Sequence, residues 1–294
     1  MGVLKSQTDG KMEPDKLANR YGGVPVVYVE SDEDCYVYGE SWFKNRLSKL
    51  EFKSAATKCA TDGCDAVLNA VRMERQAGNS AWGIVDRDTV MSKELWDLVH
   101  ETDDEAFEKA KPFGRSIKVL LRWEMESYLI DCEALEHIQA ALKKEPERAM
   151  PAVFKELLDH CLILVPHATI NAVLHKHRIK KVGDGYTNRF TTAEAVTKDI
   201  RQTQIPRLPD SGLADYKDHL PRVEAFDSPG APVEERLNAL LRRIDGKALL
   251  ERFFHVARNI QVDVKGLLAD RIKEKSRIPV EIDIFIEYIT GVLE

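Results

Sequence analysis

Short apolar runs that each end in acidic residues are the feature that most constrains this chain. Residues 24–29 form a β-branched apolar run that stops at Glu30, and residues 81–85 form a second run that stops at Asp86. Residues 116–123 form a third run, which an acidic pair follows. Runs of this length and composition predict buried strands, with carboxylates at the point where each strand ends.

Segments with helical spacing separate these strands. Residues 35–50 and 66–76 carry apolar side chains at helical intervals, and a short additional strand is predicted near residues 50–52. Strands that alternate with helices predict an α/β fold with a mostly parallel sheet flanked by helices. In such sheets ligands bind outside the carboxyl ends of the strands, so the acidic residues stand where a site is expected.

The second half of the chain changes character and predicts an α-helical C-terminal part. Helical patterns lie at residues 133–144, 150–161, 233–244, 247–259, 264–275 and 282–293. Residues 206–232 hold five of the 12 prolines, which predicts a long loop. We therefore divide the chain into a polar segment (1–20), an α/β catalytic core (21–135) and a helical region for recognition and assembly (136–294).

Composition limits the class of protein. The 294 residues include 43 Lys and Arg against 49 Asp and Glu, a net charge of −6 that argues against broad, non-specific coating of nucleic acid. The apolar runs are shorter than the roughly 20 residues of a membrane span, and no secretory signal is visible. The 5 cysteines are too few for a disulfide scaffold in a chain of this length, which favours a cytoplasmic protein without a membrane partner.

The acidic strand ends predict a metal site. Carboxylates brought close together repel one another unless a cation lies between them, and Mg²⁺ prefers oxygen ligands. Residues two apart point to the same side of a strand, as Asp86 and Asp88 do in the sequence. The acids that such an edge would gather around one or two metal ions are Glu30, Asp34, Asp86, Asp88 and Glu126.

Ordinary explanations compete with this hypothesis. Asp32 and Glu33 fit the first turn of a helix, where the macrodipole favours acids. Glu124 fits a solvent-facing position. Cys59 and Cys64 lack the spacing of a zinc site, and no second cysteine pair follows them. The metal hypothesis therefore depends on several acidic strand ends lying at the same edge of the predicted sheet.

These residues resemble a known family. Residues 26–34 (VVYVESDED) and 83–88 (GIVDRD) resemble the two acidic motifs of TOPRIM domains. Residues 122–130 (RWEMESYLI) and 245–250 (DGKALL) resemble the E-x-E-N-Y-L and G-K-x-L-L segments of OLD-like TOPRIM nucleases. The nearest group is the TOPRIM effector subunits (AriB-like) of the PARIS anti-phage defence system. The resemblance implies a TOPRIM-like core with a two-metal nuclease site.

The resemblance also implies a role for each matching residue. Glu30 would be a metal ligand or general base, and Lys247 would stabilise charge at the phosphate. Two Mg²⁺ or Mn²⁺ ions would be bound by Glu30, Asp34, Asp86, Asp88 and Glu126. This chain has Ser31 where the family usually has Gly, and Ser127 where it usually has Asn, but neither change removes a carboxylate.

The family further implies partners and a biological setting. The chain contains no P-loop motif, so a coupled ABC or AAA-type ATPase would be a separate chain. By analogy the active form would be a homodimer, and the protein would be the toxic effector of a bacterial anti-phage system. Its substrate would be tRNA, another RNA or DNA.

The densest basic run has two interpretations. Its cations, Lys176, Arg178, Lys180 and Lys181, fit contacts with a nucleic-acid backbone. They also fit a solvated helix end. His175 and His177 within the run are poor candidates for zinc ligands because no cysteine pair lies near them.

Two other functions stay open at this point. Asp86 and Asp88 also fit a D-x-D metal-dependent phosphatase or a nucleotidyl or glycosyl transferase, with Asp86 as the nucleophile of a phosphatase. The chain also fits a non-catalytic partner-binding subunit with a degenerate site. A phospho-aspartate trapped at Asp86 favours the first, and failure to bind Mn²⁺ favours the second.

Overall fold

The computed structural model describes residues 24–57 and 63–291. The strands are β1 (Val26–Val29), β2 (Glu51–Ser54), β3 (Ala81–Val85) and β4 (Ile117–Val119). The α-helices are α1 (Asp32–Cys35), α2 (Cys64–Gln76), α3 (Asp88–Ser92), α4 (Trp96–Val99), α5 (Asp104–Ala110), α6 (Met125–Tyr128), α7 (Cys132–Lys143), α8 (Met150–Lys176), α9 (Ala193–Thr203), α10 (Gly212–Glu224), α11 (Val233–Leu240), α12 (Gly246–Glu251), α13 (Lys265–Glu274) and α14 (Val280–Ile289). The predicted polar segment 1–20, Cys59 and the end of the predicted last helix lie outside the described residues.

The fold is α/β, with a parallel sheet flanked by helices, as the sequence predicts. The strand order is β2-β1-β3-β4. Strand β1 pairs in parallel with β2 and with β3, so that Val26 stands opposite Glu51 on one side and Ala81 on the other. After β4, the amide of Leu120 donates to the carbonyl of Val85 at 3.0 Å. The predicted strands at 24–29, 50–52 and 81–85 are confirmed, and the run at 116–123 forms a shorter strand.

The chain divides into two compact units. Of the described residues, unit 1 comprises 24–57, 63–83 and 278–291, and unit 2 comprises 84–277. The division thus falls within β3 and before α14, whereas the sequence predicts a change of character near residue 135.

Unit 1 joins the first strands to the last helix. Trp82 of β3 packs edge-on against Phe285 and Tyr288 of α14, with ring centroids 6.1 and 5.5 Å apart. Arg46 forms ion pairs with Asp283 at 2.9 Å and Glu287 at 3.3 Å. The last helix therefore belongs with the first strands, although some 200 residues separate them in the chain.

The predicted helix at residues 35–50 is confirmed only in part, because the segment is helical to Trp42 but does not form one α-helix. Ser31 caps the short helix α1, with Asp32 and Glu33 in the first turn as predicted. The chain then forms a π-helical segment (Tyr36–Trp42) and a 3-10 turn (Lys44–Arg46). A wider π turn suits a sequence that buries large aromatic residues such as Trp42 close together.

Unit 2 is built around α8. This helix runs to Lys176 and includes Pro166, so the predicted end near residue 161 is wrong. Burial of the apolar residues after 161 outweighs the lost hydrogen bond at the proline. Of the residues that the structure describes, α8 is the one helix long and apolar enough to cross a bilayer, and 78% of its most apolar stretch is buried in the protein. Its surroundings are those of a core helix.

The predicted loop at residues 206–232 is also wrong. Helix α10 occupies its centre and buries Tyr216, His219 and Val223, which share one face. The helix packs against α8. Pro221 lies in its last turn and cannot donate a backbone hydrogen bond there. Burial of the shared face outweighs both that lost bond and the proline content that favoured a loop.

Candidate active site

Two of the predicted acids lie together after β3 in unit 2. One carboxylate oxygen of Asp86 accepts a hydrogen bond from the amide of Met125 at 3.0 Å. The amide of Asp88 donates to the carbonyl of Trp123 at 3.2 Å. These bonds hold the D-x-D segment against residues 123–126, so the second and third acidic motifs of the sequence meet in space.

The segment after β4 supplies two buried glutamates. The side chains of Glu124 and Glu126 are 8% and 4% exposed. The interpretation of Glu124 as solvent-facing is therefore wrong. Glu124 is the residue before helix α6, and its extended backbone turns its side chain into the protein.

Lys247 is the cation between these glutamates. Its Nζ lies 3.3 Å from Oε2 of Glu124 and 3.6 Å from Oε2 of Glu126. Its backbone amide also donates to Oε1 of Glu124 at 2.8 Å. The lysine side chain is 46% exposed, so its ammonium group is accessible to a ligand while it contacts both acids.

Gly246 allows the helix that carries Lys247 to lie directly against the backbone of Glu126 and Ser127. A Cβ atom at this position would lie 2.5 Å from the amide nitrogen of Ser127 and 2.8 Å from the carbonyl carbon of Glu126. Only glycine permits this approach. Asp245 caps α12 by accepting a hydrogen bond from Ala248 at 2.8 Å. The D-G-K sequence therefore docks the start of α12 on the peptide that follows Glu126.

Lys265 is a second cation of this site, and the sequence analysis missed it. Its Nζ donates to Oε1 of Glu126 at 2.9 Å, and its side chain is 25% exposed. It is the first residue of α13, 139 positions from its partner. A lysine at a helix start is common on any protein surface, so no signal in the sequence distinguishes it. We call Asp86, Asp88, Glu124, Glu126, Lys247 and Lys265 the acid–lysine cluster.

Burial is the main cause of the raised pKa values of Glu124 and Asp88 in this cluster. Burial raises the pKa of Glu124 well above its usual range, and the nearby Asp245 adds to the effect. Burial also raises the pKa of Asp88, against the opposing effects of Lys181 and Lys247. Burial alone would lower the pKa of Lys247, but the carboxylates outweigh it and raise that pKa. The acids are therefore incompletely neutralised by the protein's own cations.

The basic run that follows α8 lies partly beside this cluster. Lys181 is exposed, and its charge acts on Asp88. Lys176 forms an ion pair with Asp215 at 2.7 Å, while Arg178 and Lys180 are exposed. Their binding to nucleic acid stays a prediction.

Glu30 and Asp34 belong to unit 1. Asp34 completes a capping box, because its Oδ2 accepts a hydrogen bond from the amide of Ser31 at 3.0 Å and its own amide donates to the Ser31 hydroxyl at 3.1 Å. Oε2 of Glu30 lies 3.4 Å from the position that a Cβ atom on Gly63 would take. The convergence of these two acids with the acid–lysine cluster stays a prediction.

The donor chemistry of the cluster suits a divalent cation, but the positions of the donors do not yet form a metal site. Carboxylate oxygens are what Mg²⁺ prefers. Within residues 24–57 and 63–291, no group of three or more His, Cys, Asp or Glu side chains is placed to hold a metal ion. The oxygens of Glu124 and Glu126 contact lysine ammonium groups instead. In this structure the two glutamates of the cluster are paired with lysine side chains of the same chain.

Comparison with known proteins adds no relative. No family model, no curated protein and no solved structure matches this chain. The function must therefore be argued from the acid–lysine cluster and from the sequence motifs.

Proposed function

We propose that this protein is a divalent-metal-dependent nuclease with a TOPRIM-like core. The observation that carries the proposal is the acid–lysine cluster, in which Lys247 lies between two buried glutamates beside the D-x-D segment. An accessible ammonium group next to several carboxylates is the combination that phosphoryl chemistry uses, because the acids bind cations and the lysine binds phosphate.

The roles follow from these contacts. Asp86, Asp88 and Glu126 would hold the metal ions, and the family resemblance adds Glu30 and Asp34 to this set. The ions, when bound, would activate the attacking water and stabilise the leaving oxygen. Lys247 would bind a non-bridging phosphate oxygen, since its side chain is half-exposed. Glu124 would orient Lys247, because it contacts both the ammonium and the backbone amide of that residue.

The biological role that we propose rests on the family resemblance. The protein would be the toxic effector of a bacterial anti-phage system, acting in the cytoplasm as a homodimer and controlled by a separate ATPase chain. Its substrate would be tRNA, another RNA or DNA. Lys181 and its basic neighbours would contact the backbone of that nucleic acid.

The proposal is tested with the purified full chain and labelled tRNA, single-stranded RNA and duplex DNA. We expect cleavage with Mg²⁺ or Mn²⁺ and none with EDTA. The variants Asp86→Asn and Lys247→Met should each reduce the rate by about 100-fold or more. The exposed Asp210→Asn serves as the matched control and should retain the wild-type rate. Cleavage that survives Asp86→Asn contradicts the site.

The same preparation separates the competing functions. Release of inorganic phosphate from monoesters, with a phospho-aspartate trapped at Asp86, favours a phosphatase. Absence of Mn²⁺ binding in calorimetry, together with binding of a partner chain, favours a non-catalytic subunit.

A further inference from the structure

Lys265 occupies an oxygen that the proposed function assigns to a metal ion. Its ammonium donates to Oε1 of Glu126 at 2.9 Å, the shortest lysine contact that Glu126 makes within the acid–lysine cluster. Lys247 lies further off, 3.6 Å from Oε2. Both oxygens of this carboxylate therefore face a cation before any ligand is present.

A buried carboxylate requires a counter-charge. The side chain of Glu126 is 4% exposed, and isolating its charge there would be costly. Either an ammonium group or a divalent ion can neutralise this carboxylate. A divalent ion that binds Oε1 competes with Lys265, because two cations on one oxygen repel each other at short range.

We propose that Lys265 is a positioning residue that acts as the resident cation of Glu126 and is exchanged for a divalent ion when the site is loaded. This inference rests on the proposed function. In the exchange the ammonium leaves protonated for solvent and the divalent ion enters, so the cluster gains one positive charge. That gain favours the binding of a phosphate anion at the half-exposed Lys247.

The surrounding structure permits the exchange without moving the helix. Leu268, Ala269 and Ile272 bury one face of α13, and the carboxylate of Asp263 accepts a hydrogen bond from the amide of Lys265 at 3.0 Å. The ammonium is joined to this fixed backbone by a flexible four-carbon stem, and the side chain is 25% exposed. Only the side chain has to move.

The test is Mn²⁺ binding to the full chain, measured by calorimetry and by the electron paramagnetic resonance of free Mn²⁺. Lys265→Met removes the competing cation, so we expect the dissociation constant for Mn²⁺ to fall by about tenfold. Mn²⁺ should also raise the melting temperature of this variant more than that of the wild type. The matched control is Lys275→Met, which removes an ion pair with Glu133 at the other end of the same helix and should bind Mn²⁺ like the wild type.

The outcomes separate this inference from the proposed function. Unchanged or weaker Mn²⁺ binding by Lys265→Met, with clear binding by the wild type, overturns the exchange and leaves the nuclease proposal standing. Absence of Mn²⁺ binding by both proteins overturns both. Where Lys265→Met does not fold, Lys265→Gln provides the same test, because glutamine keeps a hydrogen-bond donor and removes the charge.

Discussion

Unit 2 contains two clusters of buried acids, and they are neutralised in different ways. Glu136, which is fully buried, is bound by two guanidinium nitrogens of Arg148 at 2.7 and 3.0 Å. Glu156 accepts from Arg148 at 2.7 Å and is also paired with Arg258. We call these residues the arginine network.

The pKa shifts of the two clusters run in opposite directions. In the arginine network burial raises the pKa of Glu156, but hydrogen bonds from its basic neighbours, including Arg258 and Arg148, outweigh burial and hold that pKa far below its usual range. In the acid–lysine cluster, burial raises the pKa of Glu124 despite the contact with Lys247. Guanidinium nitrogens of the arginine network contact one carboxylate oxygen of each glutamate at 2.7 to 3.0 Å, whereas the ammonium of Lys247 lies 3.3 Å from Glu124, a longer and weaker contact. The first arrangement builds structure, and the second keeps acids available to a ligand.

The largest predicted effect is the loss of a guanidinium from the arginine network. Arg148→Met leaves Glu136 buried without its counter-charge, so we expect a destabilisation of about 3–5 kcal/mol. Urea denaturation measures it. The control Arg222→Met removes an exposed ion pair with Asp218 and should change stability by less than about 0.5 kcal/mol. A small effect of Arg148→Met would mean that the network is not structural.

A pair of buried histidines adds a pH dependence below pH 7. Nε2 of His100 lies 3.0 Å from Nδ1 of His219. Burial, with Arg243 nearby, lowers the pKa of His100 to about 3, and burial lowers that of His219 to about 4. The folded state therefore resists protonation more than the unfolded state does, so stability is full above about pH 6.5 and falls as the pH drops towards 4.

Denaturation between pH 7 and pH 5 measures this loss, which we expect to be on the order of 2 kcal/mol. In His219→Gln the loss should shrink. The half-exposed His137→Gln should leave the pH dependence unchanged. A pH dependence that is the same in all three proteins would contradict the assignment to the buried pair.

Gly246 tests how closely the acid–lysine cluster is assembled. In Gly246→Ala the added methyl group meets the backbone of Ser127 and Glu126, so α12 must shift, at a cost of about 1–3 kcal/mol. The control is Gly230→Ala, since a Cβ atom there meets nothing within 4 Å. Urea denaturation measures the cost, and equal stability of the two variants would show that the close approach is not needed.

The smallest predicted effect is that of Glu124→Gln, and its comparison with Glu136→Gln distinguishes the acid–lysine cluster from the arginine network. Because burial raises the pKa of Glu124, the folded state becomes less stable relative to the unfolded state as the pH rises above the usual pKa of a glutamate. At pH 8 the charged side chain therefore adds little net stability, and Glu124→Gln should change the free energy of unfolding by less than about 1 kcal/mol, in either direction. Glu136→Gln in the arginine network should cost about 2 kcal/mol. Equal losses in urea denaturation would remove the distinction between the clusters.

Part of this structure follows from local sequence patterns. The apolar runs predicted β1 and β3, and the helical spacing predicted α2 and α7. These signals are local, because burial on both faces of a strand selects a continuous apolar run. The length of α8 and the existence of α10 did not follow. The prolines of residues 206–232 favoured a loop where α10 forms, and both helices owe their extent to the burial of apolar side chains in the folded protein.

The same division holds for the candidate site. The acids after β3 and β4 and the lysine of the D-G-K segment were visible as residues, and the structure brings Asp86, Asp88, Glu126 and Lys247 together in unit 2. The sequence favours a solvent-facing position for Glu124, and no pattern in it marks Lys265. Their roles depend on contacts that no spacing rule describes.

The sequence by itself determined where the strands end and which carboxylates stand there, because apolar runs and their acidic ends are properties of neighbouring residues. Only the tertiary structure decided which cations neutralise those carboxylates. The lysine partners of Glu124 and Glu126 lie 123 and 139 positions away, on two different helices. Charge pairing across such distances is set by how the helices pack, and a lysine carries no local mark of the acid that it will meet.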